Sequence, residues 1–153
     1  MIFLNVREDK SVGKLAIRCI GLIVLFSVFA GCTQIKQAKN TIQMQDQTNA
    51  YRKAIRWSEY EVAAAFIRRR DDTAYDFDLE FYESIRVVEM EIQSREVFET
   101  EGTAIVTSKI QFYHVGYNSV KTLLDRQSWW FDAELERWFL DGSFPDYAGT
   151  LNN

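Results

Sequence analysis

Apolar side chains recur at two different periods along this chain, and the change falls near residue 85. In "DQTNAYRKAIRW", Asp46 to Trp57, the residues Tyr51, Ala54 and Ile55, with Ser58 beyond them, share one helical face. Arg52, Lys53 and Arg56 point elsewhere, so the stretch predicts an amphipathic helix. Ser58 followed by Glu61 has the form of a capping box ahead of the apolar run Val62 to Ile67, which predicts a second helix starting at Ser58. One continuous helix with a bend is the alternative. Asp71 to Ser84, "DDTAYDFDLEFYES", keeps Tyr75, Leu79 and Tyr82 near helical spacing and predicts a loop followed by a short helix.

From Ile85 the period drops to that of a strand. "IRVVEMEIQSREVF" places Val88, Met90 and Ile92 on one face and most of its charged residues on the other. Glu99 to Gly102 predicts a turn, and "TAIVTSKIQFYHV" a second strand with Ala104, Val106, Ile110, Phe112 and His114 sharing one parity. Gly116 to Ser119 makes another turn. Val120 to Phe131 and Arg137 to Leu140 then form an aromatic-rich hairpin joined across Asp132 to Glu136. Helices followed by about four antiparallel strands define an α+β fold in which N-terminal helices pack on one face of a curved sheet.

The first third of the chain follows a different logic. Arg7, Lys10, Lys14 and Arg18, against Glu8 and Asp9, precede the uncharged run "CIGLIVLFSVFAG", Cys19 to Gly31. A helix needs about 20 apolar residues to cross a bilayer, whereas the apolar part of a signal peptide has roughly 7 to 15. The run fits the shorter class and stops at small residues. Phe29-Ala30-Gly31-Cys32 resembles the lipobox of bacterial lipoproteins. The resemblance implies cleavage between Gly31 and Cys32 and acyl chains, palmitate among them, on the Cys32 thiol. Each buried methylene contributes about 0.8 kcal/mol, so two or more chains hold a protein firmly to the membrane. Thr33 stands where the family's inner-membrane retention signal has Asp, which implies an outer-membrane lipoprotein facing the periplasm if the source has two membranes. Cys19 lies in the removed segment, so Cys32 has no disulfide partner. Thr33 to Gln45, rich in Gln, Lys, Asn and Thr, reads as a tether with a reach of roughly 20 Å. Ile35, Ala38 and Ile42 also allow a weak helix there, outside the core in either case.

"YRKAIRWSEYEVAAAF", Tyr51 to Phe66, and the terminal "WWFDAELERWFLDG" resemble the opening helices and last hairpin of the NTF2-like superfamily. The resemblance implies a cone of sheet wrapped around helices with a pocket at its mouth, and it carries over no catalytic residue. The expected organisation is a signal peptide (1–31), a lipidated tether (32–45), an NTF2-like domain (46–147) and a tail (148–153).

Composition narrows the functions. The chain has 153 residues, 47% of them apolar, and a net charge of −4. Its one basic run, Arg68 to Arg70, is followed at once by Asp71 and Asp72, so it reads as a solvated helix end and nucleic acid is excluded as a partner. His114 is the single histidine. A serine triad would have to pair it with Ser108, Ser119 or Ser128 without a nucleophile-elbow motif. Proton transfer by His114 or Asp125 with Tyr113 as donor would give an isomerase-like or hydratase-like enzyme. No metal or cofactor is expected: Cys-x-x-Cys is missing, and the acidic stripe Asp72, Asp76, Glu80 lacks the glycine-containing loop of a calcium site. Trp129, Trp130, Arg126 and Trp138 have the composition of a binding hot spot. Adjacent Trp129 and Trp130 must face opposite sides of the sheet, which sends one of them to a pocket rim or subunit contact. The leading expectation is a noncatalytic, lipid-anchored envelope protein that binds another protein or itself. A carrier of a small apolar ligand comes second, and the enzyme third.

Overall fold

The computed structural model describes residues 40–117 and 119–152. The signal peptide, Cys32 and most of the predicted tether lie outside them. Helix α1 covers residues 40–56 and buries Met44, Thr48, Tyr51, Ala54 and Ile55. The core therefore begins inside the stretch read as tether: Met44 is fully buried, while Ile42 of the weak helical pattern is exposed. Trp57 and Ser58 end α1. Ser58 N–H donates to Ile55 O (3.1 Å) and Glu59 N–H to Ala54 O (2.8 Å), with Ser58 at φ 58°. That is the Schellman pattern, in which a left-handed residue satisfies the last carbonyls of a helix. Ser58 thus closes one helix where a capping box predicts it to open the next; α2, Tyr60–Ala64, has Glu59 at its N-cap and no side-chain cap bond. The short helix α3, Leu79–Glu83, is capped by Asp78, whose side chain accepts from the Phe81 N–H.

Four strands follow, β1 (Ile85–Phe98), β2 (Thr103–His114), β3 (Lys121–Asp132) and β4 (Arg137–Leu140), paired antiparallel in sequence order. The α+β class is as the pattern predicts. Register shifts between Val87 and Glu89 and between Ile92 and Ser94 interrupt β1. Each inserts an extra residue and bends the strand, which curves the sheet. The first also moves Val88 to the outer face and brings Val87 inward beside Met90, correcting the strict alternation expected there.

Helix α1 lies across the inner face and runs antiparallel to β1. Arg56 donates to Val87 O (2.7 Å), Arg95 donates to Thr48 Oγ1 (3.0 Å), and Thr41 donates to Glu99 (3.3 Å). The inner face contributes Ile85, Val106, Ile110, Phe112 and Trp129, and Tyr51 meets the Trp129 ring edge-on at 5.7 Å. A last helix, α4 (Tyr147–Leu151), seats a fully buried Tyr147 against Phe112, ring centroids 4.6 Å apart. The segment expected as a free tail from residue 148 is therefore part of the domain, with Leu151 packed on the core. Among the described residues, no helix is long and apolar enough to cross a membrane.

Candidate functional site

Alternation along β3 sends Asp125, Gln127 and Trp129 to the same inner face. Trp129 Nε1 donates to Gln127 Oε1 at 3.1 Å, and Gln127 Nε2 donates to Asp125 Oδ2 at 2.6 Å. Ser108 stands opposite Asp125 in the β2–β3 ladder and is fully buried. Burial pushes the Asp125 carboxyl above its ordinary range, and the Gln127 bond only partly offsets this. The phenols of Tyr51 and Tyr147 are pushed well up by burial and, secondarily, by nearby groups that include Asp125. Tyr51 Oη and Ser108 Oγ are buried with no hydrogen-bond partner among the described residues. The interior is thus a polar seam inside an apolar shell.

The three catalytic candidates do not come together. Tyr113 lies on the outer face. His114 ends β2, six residues past Ser108, a strand length of roughly 20 Å at ~3.3 Å per residue. Its Nδ1 accepts the Gly116 N–H at 2.9 Å and its ring meets Tyr117 at 5.0 Å. Asp125 is bonded to Gln127 instead. Tyr51 and Tyr147 are the polar neighbours that sequence reasoning missed. The signal for Tyr51 was a tyrosine on a helix face otherwise apolar, since a buried phenol brings a hydroxyl that needs a partner.

The hot-spot candidates also separate. Trp129 and Trp138 are buried in the core, and Trp138 Nε1 donates to Asn40 O at 3.2 Å. Trp130 faces outward, but the chain covers it. Its Nε1 donates to Arg68 O (2.8 Å), the Arg68 and Arg70 guanidiniums lie 5.8 and 5.9 Å from its ring, and Phe139 packs beside it. Arg68 also pairs with Asp132 at 2.9 Å. The basic run is therefore an extended clamp on the outer face rather than a helix end, and residue 67 bridges to Leu140 beside it. Arg126 is exposed on the same outer face.

Exposed large apolar side chains occur at both ends of the domain, Ile42, Phe98 and Leu135 at the end where α1 starts and Trp57, Val115, Tyr117 and Val120 towards the end where it stops. Val115 N–H donates to Ser84 O (2.9 Å), which seats the β2–β3 turn beside the start of β1. Trp57 is 64% exposed and Tyr117 60%, with Val115 and Val120 similarly open. An open groove at this end is lined by Arg56, Trp57, Ser58, Glu83, Arg86 and Val87. The Arg56 guanidinium lies 5.3 Å from the Trp57 ring centroid. The opposite end of the domain carries Glu99, Glu101, Glu134 and Glu136, all exposed, beside the start of α1. No family model, curated protein or solved structure matches this chain.

Proposed function

We propose that this chain is a lipid-anchored cell-envelope protein, held through acyl chains on Cys32, whose NTF2-like domain is a noncatalytic module that binds another protein. In a source with two membranes it stands on the outer membrane and faces the periplasm. The observation that carries the binding role is the group of exposed apolar side chains at one end, Trp57, Val115, Tyr117 and Val120. Exposed aromatic side chains such as Trp57 and Tyr117 are the anchors that dominate the energetics of interaction sites. Helix α1 places this end about 24 Å from residue 40 at ~1.5 Å per residue. The dispersal of Tyr113, His114 and Asp125 supports binding over acid–base chemistry.

A photocrosslinking residue at Tyr117 in the intact lipidated protein tests the partner. A discrete crosslinked species in cells, lost in Trp57→Ala, is expected. No crosslink, together with a monomer in detergent, would remove the reading. Detergent phase separation of wild type and Cys32→Ala tests the anchor; equal partitioning of both would remove that part. The unpartnered Tyr51 and Ser108 hydroxyls favour one second reading, a small hydrogen-bonding ligand in the interior. Native mass spectrometry showing no mass beyond the acylated polypeptide would set it aside.

A further inference from the structure

Arg56 and Arg86 share one groove with Trp57 and, like Arg52, Arg69 and Arg95, are held by hydrogen bonds rather than by carboxylates. Arg68 and Arg70 are paired with carboxylates. Arg56 and Arg86 make no ion pair among the described residues, although the chain carries 22 acidic residues against 18 basic ones. Each is nevertheless fixed. Arg56 Nη1 donates to Val87 O at 2.7 Å, and Arg86 Nη1 donates to the carbonyls of Glu83 and Ile85. One terminal nitrogen of each guanidinium is thus spent on backbone, and both side chains line the same groove with donors to spare. A guanidinium presents five donors in a rigid fork, so holding one nitrogen orients the rest without extra cost in side-chain freedom. Trp57 lies beside Arg56, and the left-handed Ser58 ends the helix directly after them.

We propose that this groove takes the carboxylates of an extended acidic segment of a partner protein, with Trp57 as the apolar floor. The inference rests on the reading that the domain binds protein. Charge complementarity selects the occupant: two held, unneutralised guanidiniums match carboxylates in paired geometry. Glu83 in the same lining selects a peptide over a lipid surface. Its carboxylate would accept an amide N–H of a passing chain, a donor that a surface of phosphates lacks.

The test uses the full chain in detergent micelles and a fluorescein-labelled hexaglutamate peptide, read by anisotropy, with hexaserine and hexalysine peptides beside it. Hexaglutamate alone is expected to bind, with an affinity that falls as salt rises. The double variant Arg56→Gln, Arg86→Gln is expected to weaken it tenfold or more, while Lys109→Gln on the outer face leaves it unchanged. Glutamine at 56 keeps a donor for Val87 O, and an unaltered thermal melt certifies the fold. Arg86→Lys is expected to weaken binding less than Arg86→Gln, because it keeps the charge and loses the fork. Equal binding by the double variant, or no hexaglutamate binding at all, overturns the proposal. So does capture of phosphatidylglycerol vesicles with the same arginine dependence. A Tyr117 crosslink that survives in the double variant would defeat carboxylate recognition and leave the protein-binding reading intact; its absence from wild type would defeat that reading itself.

Discussion

Replacing Tyr51 by Phe removes one oxygen from the centre of the domain. The ring is fully buried, edge-on to Trp129 at 5.7 Å and to Phe66 at 6.1 Å, and these contacts survive the substitution. The hydroxyl has no partner among the described residues. Burying such a group without a hydrogen bond costs about 1–3 kcal/mol in proteins. Its removal is therefore expected to stabilise the domain by about 1–2 kcal/mol, which for a domain of this size raises Tm by roughly 4–8 °C. Urea unfolding followed by tryptophan fluorescence measures the change. The midpoint should rise while the slope stays constant, because the surface exposed on unfolding is the same. Ser108→Ala, also fully buried and unpartnered, should move in the same direction. A loss of more than about 0.5 kcal/mol in both variants would refute the reasoning, since it would show that the hydroxyls bind something, an ordered water or a guest molecule.

The same packing sets three further outcomes. The folded-state pKa of Asp125 is raised by burial, so the native state holds the proton more tightly than the unfolded chain; stability is greatest below the ordinary carboxylate value and falls as pH rises through the raised one. Asp125→Asn, which keeps an acceptor for Gln127, should remove that slope and be more stable than wild type at neutral pH, as measured by melts across a pH series. Asp132 pairs with Arg68 and accepts the N–H groups of Glu134 and Leu135 at 2.9 and 3.0 Å; Asp132→Ala should cost about 2–3 kcal/mol in chemical denaturation. Gly102 has φ 60° and open space beyond it, its nearest contact being Phe131 Cβ at 3.8 Å, so Gly102→Ala should cost only the left-handed penalty of about 1–2 kcal/mol in the same assay.

The strands were legible because a half-buried strand writes its face into alternate positions. β1 spans Ile85–Phe98 as the pattern predicts, and β4 spans Arg137–Leu140. Val88 is the exception, because Val87 and Val88 are both apolar and only the bulge decides which turns inward. Ser58 carries the residue types of an opening cap, yet backbone hydrogen bonds from the preceding helix claim it. Met44 is hidden by its neighbours: one methionine among Gln, Asn and Thr leaves little periodic signal. Within the candidate sites, the shared face of Asp125, Gln127 and Trp129 was readable by parity. The meeting of Tyr51 and Tyr147 with that face was not, because α1 and α4 reach it from opposite ends of the domain sequence. The arginine groove joins α1 to β1 across about thirty residues, and no local pattern reports such a juxtaposition.

β1 is a border strand of the sheet, and two of its carbonyls, Val87 and Met90, receive Arg56 and Arg52 from α1 at 2.7 and 3.5 Å. A border strand with free backbone groups templates the addition of foreign strands. Here two of the edge carbonyls are covered by a separate element, and that cover lasts only while the helix stays docked. Any cut, pull or substitution that lifts α1 uncovers apolar core and an adhesive margin in one event, coupling loss of the helix to self-templated aggregation.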